Sequence, residues 1–100
     1  MEQPLTKAQA AQIIQKLAAP DCCDFSVFYR PHCKERMRQR NVDARDALRV
    51  LRTGEVSKAY MRDQEWRHAV KANGLVLAVA IVEGADGSLA LHAVTLWRKR

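Results

Sequence analysis

The hydrophobic period of the chain changes once, at Gly54, and that change dictates the class of fold. Before it, apolar residues recur at helical spacing; after it, short runs rich in β-branched residues alternate with turn residues. Thr6 followed by Gln9 has capping-box spacing, and Ala10, Ile13, Ile14 and Leu17 then share one face. A first helix is therefore expected from about Thr6 to Ala18, ended by Pro20. Phe25 to Tyr29 reads as a short extended segment. Pro31 suits the first turn of a second helix that runs to Arg40, with Asn41 as a left-handed cap. Asp43 is expected to cap a third helix, Ala44 to Thr53, with Ala47, Leu48 and Leu51 inward and Gly54 just past its end.

Val56 to Arg62, Glu65 to Ala72, Leu75 to Glu83 and Leu89 to Arg98 then read as four strands. Asp63–Gln64, Asn73–Gly74 and Gly84 to Ser88 are the turns between them, and connections this short join antiparallel neighbours. The expected fold is α+β: N-terminal helices, about residues 4–54, packed on a four-stranded antiparallel β-meander, about residues 55–98. A chain of 100 residues without a linker fits one domain, residues 1–100. The longest apolar run, Leu75 to Val82, is about half of what a helix needs to cross a bilayer. Met1 to Ala11 lacks the apolar block of a signal peptide. The expectation is a cytoplasmic protein with no membrane partner.

Charge narrows the class of partner. Lys and Arg number 17 against 11 Asp and Glu, for a net charge of +6. The segment Arg30 to Arg40 holds five basic residues and one acid, and Arg98, Lys99 and Arg100 add three more, so these two segments supply the whole excess. Basic charge so concentrated points to a polyanion, nucleic acid before membrane. Arg30, Lys34, Arg38, Arg98, Lys99 and Arg100 are the expected phosphate contacts.

The three cysteines do not build a disulfide framework, since their number is odd and Cys22 and Cys23 are adjacent. Reduced thiols in a reducing compartment are the expectation. Cys22, Cys23, His32 and Cys33 lack zinc-site spacing, and the chain has neither a phosphate-binding glycine loop nor a dinucleotide motif, so no metal and no cofactor is expected.

Of the three histidines, His68 and His92 fall within strands, His92 alternating with Ala90, Val94 and Leu96, and read as half-buried structural residues. His32 opens a helix and shares a stripe with Arg36 and Arg40 at i, i+4 and i+8, while Cys33 and Met37 form the packing stripe beside it. Metal-free RNA cleavage needs a base for the 2′-hydroxyl, cations around the phosphate and an acid for the leaving 5′-oxygen. His32 fits base or acid, and the arginines fit the phosphate clamp. Spacing alone equally suits a solvated basic helix face.

The run Pro31-His-Cys-Lys-Glu-Arg-Met-Arg-Gln-Arg-Asn-Val42 resembles the signature of the domain of unknown function 4258 family. Leu51-Arg-Thr-Gly-Glu55 resembles that family's next conserved stretch, and Val94-Thr-Leu-Trp97 its closing strand; the first helix is an addition. Asn41 stands where the family usually has Gly, and Pro31 where Ser is common. The resemblance implies the RelE-like toxin and EndoU-like ribonuclease fold, with His32, Arg36, Arg40 and Thr95 at motif positions. It also implies a bacterial setting, with RNA or ribosome-bound mRNA as substrate and an acidic antitoxin or other protein as partner. The function expected is a small metal-independent endoribonuclease of the RelE-like toxin type. The alternative is a non-catalytic nucleic-acid-binding or protein-interaction module with the same fold.

Overall fold

The computed structural model describes residues 5–19 and 27–98. Pro20, the Cys22–Cys23 pair, Phe25, Lys99 and Arg100 lie outside the described residues, and with them the proline expected to stop the first helix and part of the basic tail.

Among the described residues three helices form where local chemistry starts and stops them. In α1 (Lys7–Leu17) the Thr6 hydroxyl accepts from the Gln9 amide at 3.1 Å while the Gln9 side chain accepts from the Thr6 amide, closing a capping box. The second helix, α2 (Pro31–Gln39), starts on a proline after Arg30 and has no side-chain cap. It ends where Asn41 adopts φ 57°, the left-handed region that asparagine tolerates. The third, α3 (Ala44–Thr53), is closed by a reciprocal Asp43–Asp46 box. Their buried residues (Ala10 and Ile14; Cys33 and Met37; Ala47, Val50 and Leu51) meet one face of the sheet at Val70, Leu77, Val79, Leu91, Ala93 and Leu96.

Among the described residues the sheet has six strands, not four: β1 (Val27–Tyr29), β2 (Glu55–Val56), β3 (Tyr60–Arg62), β4 (Glu65–Ala72), β5 (Leu75–Glu83) and β6 (Leu89–Arg98). Their order is β1-β6-β5-β4-β2, with β3 also paired to β4. Two features depart from the sequence reading. The extended segment before Pro31 is an edge strand, parallel to β6 with Val27 opposite Leu91. The expected strand Val56 to Arg62 is split, because side chains intervene in its ladder. Ser57 Oγ accepts from the Ala69 amide at 2.9 Å, and the Ser57 carbonyl bonds the His68 ring at Nδ1 at 3.0 Å. Pairing resumes at Tyr60 opposite Arg67, one residue out of register with Val56 opposite Val70.

Both two-residue turns have positive φ at both positions, 51° and 61° at Asp63–Gln64, and 52° and 77° at Asn73–Gly74. Such turns match the twist of the strands they join. The antiparallel pairing of β5 with β6 carries one irregularity: Ala78 faces Thr95 while Val79 faces Ala93, leaving Val94 as an extra residue. This bulge changes which side chains share a face. Leu91, Ala93 and Leu96 enter the core, whereas Thr95 and Trp97 face the other way.

Gly54 sits at the C-cap of α3 with φ −79°, so its role is steric and not the left-handed turn that a glycine past a helix end suggests. A Cβ there would lie 2.5 Å from the Val50 carbonyl oxygen and 2.6 Å from Val70 Cγ1. This close approach lets α3 run directly into β2 and pack on β4. Gly54→Ala should lower the unfolding free energy by about 1–3 kcal/mol through overpacking, read as a drop in the urea midpoint.

Candidate functional site

A cleft of about 620 Å³ opens between the start of α2, the β3–β4 hairpin and the outer end of β6. Each wall follows from a local feature. Pro31 and the first turns of α2 present His32 and Arg36, while Cys33 and Met37 hold the neighbouring face of the helix in the core. The left-handed Asp63–Gln64 turn folds Tyr60 and Arg62 back beside Arg67. The bulge at Val94 turns Thr95 and Trp97 toward the same space.

The floor is an ionic network. Arg30 donates from both terminal nitrogens to Glu65, at 2.8 Å to Oε1 and 2.7 Å to Oε2. Glu65 Oε1 also accepts from Arg67 Nε at 3.1 Å. The Arg67 side chain is only 9% exposed and has Asp63 3.6 Å away. Arg30 Nε donates to His92 Nδ1 at 3.3 Å, which places the neutral ring's proton on Nε2. Four arginines thus line the cleft with one lining carboxylate, Asp63, and Glu65 beneath them. The result is a cleft suited to an anion with several oxygens.

The residues singled out in the sequence separate into two groups. His32, Arg36, Thr95 and Arg30 line the cleft. Arg40 does not: α2 ends at Gln39, and eight residues of helix carry Arg40 about 12 Å along the axis from His32. Its carbonyl instead accepts from Arg98 Nη2 at 3.0 Å, tying β6 to the end of α2. Lys34 stands 5.9 Å over the Phe28 ring, and Arg38 pairs with Glu35 at 2.6 Å, both outside the cleft lining. Burial pushes the Cys33 thiol up to about 11, which keeps it protonated and structural at neutral pH.

Tyr60, Arg62, Asp63, Arg67 and Trp97 were not visible as site residues in the sequence. One signal was present: Glu65 and Arg67 put two charges, two residues apart, on one face of a strand whose remainder is largely apolar. His68 is buried against Ser57, and the His92 ring lies 5.1 Å from that of Phe28, tilted 46° to it.

The network makes stability depend on pH. The Arg30 hydrogen bonds hold the Glu65 carboxyl below its usual range against the opposing effect of burial, with Arg67 adding to the effect. Burial and then Arg30 lower the His92 ring. In both cases the unfolded chain binds the proton more readily, so stability rises with pH through each window. The His92 contribution should fade as pH drops below about 6.5, and that of Glu65 below about 4.3. Glu65→Gln should cost about 1–3 kcal/mol at pH 7 and flatten the lower limb in denaturation midpoints measured from pH 8 to 3.

No curated protein and no solved structure matches the chain. The profile of one family, described as Domain of unknown function (DUF4258), matches residues 29–86, from the end of β1 into the turn after β5. The match takes in His32, Arg36, Glu65 and Arg67, while α1 and β6, with Thr95 and Trp97, fall outside it. Since it covers more than half of the chain, the protein belongs to the domain of unknown function 4258 family.

Proposed function

We propose that the cleft is the site of a small metal-independent endoribonuclease of the RelE-like toxin type. The observation that carries this reading is the convergence of His32, Arg36 and Thr95 on one cleft with Arg30, Arg62 and Arg67. His32 takes the proton of a 2′-hydroxyl, the 2′-oxygen attacks the adjacent phosphorus, and the bond to the 5′-oxygen breaks. A 2′,3′-cyclic phosphate and a 5′-hydroxyl result. Arg36, with Arg62 beside it, neutralises charge on the non-bridging oxygens, and the Thr95 hydroxyl orients the phosphate or the imidazole. Burial raises the Tyr60 phenol above its ordinary range, so it keeps its proton at neutral pH and is available to the leaving oxygen. In this reading the substrate is RNA or ribosome-bound mRNA in a bacterial cytoplasm, and an acidic antitoxin is the protein partner.

A second reading has support of its own. His32 is the only imidazole lining the cleft, so a histidine pair for acid and base is not assembled there. That favours a nucleic-acid-binding or protein-interaction module without catalysis.

Cleavage of RNA in cell-free translation separates the two. Under the ribonuclease reading, His32→Ala with an intact fold lowers the rate by about 10²–10⁴-fold. Arg36→Ala weakens both cleavage and binding, Thr95→Val lowers turnover while keeping the strand, and a chelator changes nothing. Activity in His32→Ala equal to that of the wild type refutes the assigned role. RNA binding that falls by roughly 0.7 log units per log unit of salt for each phosphate neutralised, without cleavage, supports the second reading.

A further inference from the structure

Trp97 is not used by the chemistry above, yet it stands in the cleft. It is 39% exposed near the end of β6, and it is one of the chain's two tryptophans. The other, Trp66, is half-buried with its indole nitrogen fully covered. Leu96 beside it fills the core, and the bulge at Val94 sets Trp97 on the opposite face, along with Thr95. The indole therefore shares the cleft with Arg36, Arg62 and Tyr60. A flat apolar face among guanidinium groups matches a ligand that is charged along its backbone and flat at its side groups.

We infer that Trp97 is a stacking platform for an unpaired nucleobase, so that the cleft takes single-stranded RNA and discriminates against duplex. This rests on the nucleic-acid reading of the cleft and adds the residue that senses the base. In a duplex the base faces are covered by their neighbours in the stack, and only the phosphates remain to be recognised. A single strand offers both phosphate and base face, and stacking of one base on an aromatic side chain is sequence-tolerant. Trp97 is thus a recognition residue, separate from the proton transfer assigned to His32.

The test compares three labelled probes of equal length by fluorescence anisotropy: a single-stranded oligoribonucleotide, an oligomer carrying abasic sites, and a duplex. The wild type should bind the first roughly 5- to 150-fold more tightly than the second for each base stacked, and more tightly than the duplex. Tryptophan emission should be quenched by the base-containing strand, and this quenching should vanish in Trp97→Phe, which retains part of the stacking affinity. Trp97→Leu should bind the single strand and the abasic strand equally. Equal wild-type affinity for the base-containing and abasic strands overturns the role of Trp97 while leaving the anion cleft standing. Absence of binding to all three probes at low salt overturns the nucleic-acid reading itself, and the inference with it.

Discussion

The paired hydrogen bonds between Arg30 and Glu65 join residues 35 positions apart and set the relation between two parts of the molecule. Arg30 is the residue before α2, which has no side-chain cap of its own, and Glu65 begins β4. The bond therefore anchors the start of α2 to the β3–β4 hairpin. Glu65 also holds Arg67, so a single carboxylate orients two guanidinium groups in the floor of the cleft. Cationic groups fixed in advance by such a partner need little rearrangement when an anion arrives. Removing the carboxylate would leave the buried Arg67 with only Asp63, 3.6 Å away and exposed, which is costlier than never having built the pair. The fold and the cleft share this interaction.

Much of the architecture was legible because it is written in short-range chemistry. Thr6 with Gln9 and Asp43 with Asp46 close capping boxes within one helical turn. Asn73–Gly74 supplies the two left-handed residues that a tight hairpin demands. The parts that were not legible depend on distant partners. Nothing near Ser57 announces that its hydroxyl will take the Ala69 amide, or that its carbonyl will meet His68, yet these bonds divide one expected strand in two. The parallel pairing of Val27 to Tyr29 with β6 is likewise a contact across more than sixty residues.

The same distinction runs through the cleft. His32 and Arg36 were readable because four residues of helix bring two side chains to one face. The extension of that stripe to Arg40 keeps the face but moves about 12 Å along the helix axis, beyond the residues that line the cleft. On β6, strict alternation grouped His92 with Val94 and Leu96; the extra residue at Val94 reverses the faces beyond it, and Leu96 goes to the core. A period-2 pattern cannot reveal such a shift, because one bulged residue leaves the composition of the strand unchanged. Thr95 was readable only as a resemblance to the family's closing strand, which lies beyond the matched residues 29–86, and the place of Trp97 depends on the bulge.

The place of β6 bears on how the protein is made. It lies inside the sheet, between β1 and β5, yet follows every other described element in the chain. Among the described residues β1 pairs with no other strand, and α2 rests against β6. A nascent chain that has emerged only as far as Glu83 would carry the arginines of the hairpin without the wall that faces them. Assembly of the cleft therefore waits until nearly the whole described sequence is free to fold, so its cationic walls do not come together on a partly emerged chain.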